Sequence, residues 1–195
     1  MKTHPEADGL ADIELPITEI QIPWYRIHRK AFGAMFFGNK RINRFDCPDG
    51  TFGVLYLATN LEGAFIETFG QETGKRFVQE SELEERAFSI FESSRPLRLV
   101  DITGPGLAKM GADARLCAGD RNLAARWSSA FYKHANQPDG IYFRARHDPA
   151  ELCSAVFDRA EPFLKVAQTI GLTDRSVLAR IVGVLDRYDF GLVDS

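Results

Sequence analysis

Apolar and polar positions are patterned most sharply over Gly53–Gly70, GVLYLATNLEGAFIETFG. The unbroken apolar run at its start predicts a strand buried on both faces. Thr59 or Asn60 follows as an N-cap, because a short polar side chain can accept a free backbone N–H there. Leu61, Ala64, Phe65 and Phe69 then recur at helical spacing and make a core stripe, which Gly70 ends. Glu67 falls beside that stripe, three residues after Ala64, either as an edge charge reaching solvent or as the base of a pocket.

The same reading places other elements around this unit. WYRIHR at 24–29 suits a strand, with Arg26 and His28 on one face and Tyr25, Ile27 and Arg29 on the other. Residues 31–52 are rich in Gly, Asn, Pro and Asp and predict a long loop carrying Lys40, Arg41 and Arg44. QETGKRFVQESELEER at 71–86 predicts a solvated turn or short helix. Strands are expected at 87–91, 97–101, from Ile141 and at 152–157, with short helices or loops over 103–121. Helices are expected at 122–134, with Leu123, Trp127, Ala130 and Phe131 on one stripe, and at about 174–186. In that last helix Thr173 or Asp174 would cap, and Val177, Leu178, Ile181, Val182 and Leu185 would be buried. About six strands and three or four helices, not strictly alternating, predict an α+β fold: a mixed β-sheet core with flanking helices. Residues 1–22 are expected to be an N-terminal arm, loose over 1–16, ahead of a single domain at 23–195.

Composition narrows the functional classes. A chain of 195 residues with 45% apolar and 26% charged residues fits one soluble domain. The net charge of -3 argues against direct nucleic-acid binding, which favours a basic excess. Cys47, Cys117 and Cys153 are odd in number and lack a CxxC pair, which speaks against a disulfide framework or a structural zinc site. The polar N-terminus has no apolar signal core, and no run is long enough to span a bilayer, so a cytoplasmic protein with no membrane association is expected.

The candidate chemistry is sparse. No nucleotide-binding glycine motif and no G-x-S-x-G is present. His4, His28, His134 and His147 show no metal-binding spacing. Arg26 stands within an aromatic and apolar strand, where it needs either a carboxylate partner or an anionic ligand. Arg44 is a solvated loop charge or a ligand clamp. Tyr56 is a core tyrosine or a ring lining a cleft.

YRIHR, then NRFD with a proline/glycine turn, then LYLA with A-x-x-E on the next helix, then DGIYFRARHD and CSAVFD resemble, in that order, the RES domain family over residues 24–158. The family's loop usually reads G-R-W-N, where this chain has Asn43, Arg44, Phe45 and Asp46. A serine common in the late strand is replaced by Ala145. The resemblance implies an ADP-ribosyltransferase-like fold that binds NAD+ and cleaves its nicotinamide–ribose bond by phosphorolysis or hydrolysis. Such a protein acts as the toxin of a toxin–antitoxin pair and is held inactive by an antitoxin carrying a DNA-binding domain. It also implies Glu67, Arg26 and Tyr56 as catalytic residues. Arg26 and Arg44 would hold the NAD+ diphosphate, Tyr56 would stack on nicotinamide or ribose, and Glu67 would bond the ribose hydroxyls. NAD+ is then a substrate and no cofactor is needed. Inorganic phosphate is a possible co-substrate, for which Arg144, Arg146 and His147 are candidates. Two alternatives stay open within this chemistry, a protein ADP-ribosyltransferase and a catalytically weak module that docks an antitoxin. An unrelated α+β protein with internal ion pairs among these groups is a third.

Overall fold

Eight strands form one mixed sheet in the computed structural model, which describes residues 7–194. In chain order the elements are β1 (Ile17–Ile20), β2 (Trp24–Arg29), β3 (Val54–Ala58), α1 (Leu61–Phe69), β4 (Phe77–Gln79), α2 (Glu80–Glu84), β5 (Arg86–Ser93), β6 (Leu97–Asp101), α3 (Pro105–Lys109), α4 (Arg115–Ala118), α5 (Arg121–Lys133), β7 (Gly140–Arg144), β8 (Leu152–Phe157), β9 (Leu164–Gly171), α6 (Arg175–Arg187) and β10 (Gly191–Val193). The sheet order is β1-β6-β7-β8-β3-β2-β5-β9. Only β6 and β7 run parallel within it; β10 pairs with β4 in a separate parallel ribbon. This is the α+β arrangement expected from the sequence.

The ladder is uneven. β3 pairs with β8 over five residues and β2 with β5 over six, yet β2 and β3 meet only at Tyr25 and Ala58. The sheet therefore opens between β3 and β2, into a five-stranded part, β1-β6-β7-β8-β3, and a three-stranded part, β2-β5-β9.

β3 is buried on both faces because each face has its own core. Val54 and Ala58 pack with Phe157, Phe143, Phe65, Trp127 and Phe131 under α1 and α5. Leu55 and Leu57 pack with Trp24, Phe91, Leu99 and Val156 on the other face, beneath Met35 and Phe37. Asn60 caps α1, its side-chain oxygen accepting the Gly63 N–H at 2.7 Å. Gly63 lets the helix lie close to the strand: a Cβ there would come within 3.2 Å of the Ala58 methyl. Gly70 closes the helix with its N–H on the Ile66 carbonyl at 2.9 Å, and a Cβ at that position would collide with the same oxygen.

Some expectations change. The loose arm is part of the fold over residues 7–20, because Leu10 and Leu15 are buried and β1 extends the sheet along β6; residues 1–6 lie outside the described residues. In α6, Asp174 is the cap and Val177, Ile181 and Leu185 are buried as expected. Leu178 and Val182 are instead exposed, since α6 lies on the core along the narrower row that adds Val184. β1, β4, β9 and β10 are additional strands. Among the described residues, no helix is long and apolar enough to cross a membrane. Nor does any group of three or more His, Cys, Asp or Glu side chains there suit a metal ion.

Candidate active site

The opening between β2 and β3 is continuous with a cavity of about 440 Å³. Tyr25, Arg26 and Ile27 of β2 line one side, and Tyr56, Leu57 and Ala58 of β3 line the other. Gly63, Glu67 and Thr68 of α1 add a wall, the loop at 42–45 adds another, and Arg121, Arg146 and His147 complete the enclosure.

Tyr56 unites both expectations for it. Its ring lines the cavity while its hydroxyl is committed below the loop, donating to Asp46 Oδ1 at 3.0 Å and accepting the Phe45 N–H at 2.9 Å. Burial, joined by the Asp46 charge, pushes its phenol well above the ordinary range, so it stays protonated. Asp46 is itself buried and gathers the loop, accepting the N–H groups of Ile42 and Asn43 at 3.0 and 2.9 Å. Ser128 of α5 donates to the Phe45 carbonyl at 2.7 Å from beneath. A long loop rich in turn residues is thus pinned at its centre, and Arg44 projects from the pinned part. Its Nη1 bonds the Gly119 carbonyl at 2.8 Å.

Glu67 is half-buried, and its Oε1 accepts the backbone N–H of Arg146 at 2.7 Å. The position beside the core stripe is therefore a cavity wall rather than a solvated edge. The loop carrying Arg146 is held in turn by α6. Arg187 reaches Glu151 at 2.7 Å, and the Tyr188 hydroxyl donates to Asp148 at 2.9 Å.

Arg26 has no carboxylate partner among the described residues. Its Nη1 donates to the carbonyls of Ala34 and Phe36 at 2.8 and 3.2 Å. Burial lowers its guanidinium to about 10, which leaves it a cation at neutral pH. Arg44 is also lowered, first by burial, then by the charge of Arg146; Cys117 and Glu67 oppose this and Arg121 adds to it. The arginines thus form no internal ion pairs with Glu67, contrary to the third alternative.

Of the three phosphate candidates, Arg146 and His147 line the cavity. Arg144 does not: its guanidinium is tied to the Thr103 and Pro149 carbonyls at 3.0 and 2.8 Å. This correction has a local reason: β7 ends at Arg144, and Arg146 lies in the loop beyond it, where the strand's alternation no longer applies. Burial lowers the His147 imidazole below its usual value, so at neutral pH it offers a hydrogen bond rather than a charge. Sequence reasoning missed Asp46 as an organiser and Arg121 as a lining cation. In the sequence Asp46 stands out only as a departure from the family's loop. Arg121 had no signal beyond its place after Asp120, a residue suited to cap a helix.

The family model described as "RES domain" matches residues 23–176. The chain belongs to the RES domain family. It is 34% identical over 104 residues to "Probable toxin y4kH" of Sinorhizobium fredii, covering 52% of this chain and 81% of that relative. Its fold matches a chain of the M. tuberculosis MbcT–MbcA toxin–antitoxin complex with a TM-score of 0.64 at 16% identity, over 89% of this chain and 91% of that one. For this RES domain, the family match spans every residue assigned to the cavity above.

Proposed function

We propose that this RES protein degrades NAD+ by cleaving its nicotinamide–ribose bond, and that it is the toxin of a toxin–antitoxin pair. The observation that carries the first part is the composition of one cavity: a single carboxylate, Glu67, with several carboxylate-free arginines and an aromatic ring. NAD+ has the matching charges, a cationic nicotinamide ribosyl and an anionic diphosphate. The toxin reading draws on the relative named a probable toxin and the fold shared with a toxin–antitoxin complex. An antitoxin with a DNA-binding domain is the expected partner, and the cytoplasm, where NAD+ is abundant, the expected location.

In this reading Arg26 and Arg44 hold the diphosphate. Tyr56 stacks on the nicotinamide or its ribose. Glu67 faces the ribose, bonding its hydroxyls and stabilising the positive charge that grows on C1′ as the bond breaks. Such a charge is favoured by a fixed carboxylate in a partly dry site far more than in water. The C1′–N bond breaks with its electron pair going to nicotinamide, which leaves neutral. An oxygen of phosphate or water then bonds C1′, giving ADP-ribose 1-phosphate, or ADP-ribose and a proton. Binding energy at the diphosphate holds the reacting centre in place.

The test is to incubate purified protein with NAD+, with and without inorganic phosphate, and to follow nicotinamide, ADP-ribose and ADP-ribose 1-phosphate. Release of nicotinamide supports the reading, and the product identifies the incoming oxygen. No release in either condition, at high enzyme concentration and free of partner, would overturn it.

A further inference from the structure

We infer that Arg121 is an additional substrate-binding residue, the third guanidinium of a wall that takes phosphate-class oxyanions together with Arg44 and Arg146. This rests on the reading of the cavity as a site for a nucleotide with phosphates. Three observations converge on it.

Arg121, Arg44 and Arg146 line the same cavity. Arg44 feels the charges of both others, so it stands close enough to each to be repelled by it. Gathering like charges costs free energy that an anion between them returns.

Second, no carboxylate pairs with them among the described residues. Arg121 donates one bond through Nη1, to the Ile42 carbonyl at 3.0 Å, and Arg44 one, to Gly119. A guanidinium carries five N–H donors in a fixed fork. Most of those donors on each residue are therefore left for a ligand, and the fork suits phosphate oxygens. The nearest acid in sequence, Asp120, is turned to the backbone, where it caps α5 through the Asn122 N–H at 2.9 Å.

Third, the wall is braced rather than floppy. Arg121 and Arg44 cross-tie the loop and the α4–α5 connection in opposite directions, one from helix to loop and one from loop to connection. Pre-set cations of this kind lose little freedom when an anion arrives.

The shared chemistry is a phosphate oxyanion, from either the dinucleotide's diphosphate or free inorganic phosphate. Calorimetric titration of the full chain with ADP and, separately, with inorganic phosphate distinguishes the two. In Arg121→Gln the dissociation constant of at least one probe should rise about tenfold, as the loss of one charge-assisted contact implies. Arg121→Lys should recover part of that loss. A rise for ADP assigns the residue to the diphosphate, and a rise for phosphate assigns it to the co-substrate. Unchanged constants for both probes would overturn the inference and leave Arg121 as a brace for Ile42. Wild-type protein gives a check that needs no variant. Phenylglyoxal modification of the exposed Arg121, mapped by mass spectrometry, should be slowed by ADP or by phosphate; no protection by either counts against it. Binding without nicotinamide release would retain Arg121 and reject the NAD+-cleaving reading, so the two fail separately.

Discussion

The Glu67 carboxylate is fixed by the backbone N–H of Arg146 at 2.7 Å, across 79 positions of sequence, and by no arginine side chain. A backbone donor orients the group without cancelling its charge. Glu67→Gln keeps an oxygen able to accept that N–H and removes only the charge. Nicotinamide release should therefore fall at least about 100-fold, the scale of losing one electrostatic contact to a transition state. Thermal stability should stay within about 1 kcal/mol of wild type, since the bond itself is retained. Persistent turnover would remove Glu67 from the mechanism.

Tyr56→Phe separates ring from hydroxyl. The ring remains in the cavity, but Asp46 loses a donor and the Phe45 N–H loses its acceptor. Unsatisfied buried groups cost about 1–3 kcal/mol. For a chain of this size the melting temperature should drop by roughly 2–4 °C for each of those kilocalories. Loosening the loop that presents Arg44 should also raise KM for NAD+ more than it lowers kcat. Steady-state kinetics beside a melting curve reads both; an unchanged KM would show that the loop does not need this tie.

The thiols at the cavity should be unreactive. Burial pushes Cys117 up to about 11 and Cys153 well above its ordinary value. At pH 8 the Cys117 thiolate is then about 100-fold scarcer than for an ordinary thiol, and the thiolate is the nucleophile. Iodoacetamide should label both at least about tenfold more slowly in native protein than in urea. Fast native labelling of Cys117 would contradict its protonated state.

His28 gives a pH signature. Its Nδ1–H donates to the Arg29 carbonyl at 3.1 Å, so the neutral ring's Nε2 accepts the Ser89 hydroxyl at 2.9 Å. Burial, together with the Arg26 charge, lowers its pKa against the weaker pull of the Arg29 carbonyl. The unfolded chain therefore takes up the proton first, near pH 6.5. Stability from the neutral ring is complete above that value and declines as pH falls below it. The melting temperature should decrease from pH 7.5 to 5.5, and His28→Gln should flatten the slope. An equal slope in both proteins would assign the effect elsewhere, with His147, also lowered, as the next group to test.

The unit from Val54 to Gly70 was readable because each of its signals is local: an apolar run, an asparagine cap, a helical stripe and a closing glycine. Glu67 was conspicuous for the same reason. What it faces was not readable, since the Arg146 N–H comes from a loop whose Asp148 and Glu151 are held by Tyr188 and Arg187, some 40 positions away. β9 is not legible in the sequence because an edge strand exposed along most of its length lacks the alternation that marks a half-buried strand. Leu10 and Leu15 were hidden in a polar, proline-bearing segment whose two anchors are too few to set a period. In α6 the apolar stripe is wider than the face that packs, so Leu178 and Val182 lie outside the core. Asp46 looked like a loss relative to the family's asparagine, yet its carboxylate accepts N–H bonds from Ile42 and Asn43 and the Tyr56 hydroxyl.

The single bridge between Tyr25 and Ala58 has a mechanical consequence. Where a full ladder would stitch β2 to β3, the two parts of the sheet share a single backbone pair and are otherwise held by side chains, Leu55 and Leu57 against Trp24 and Phe91. A molecule lodged between Arg26 on one side and Tyr56 and Glu67 on the other acts as the missing cross-stitch. Ligand should therefore slow amide exchange along β2 and β3 beyond the residues it touches, tightening a seam that the backbone leaves unsewn.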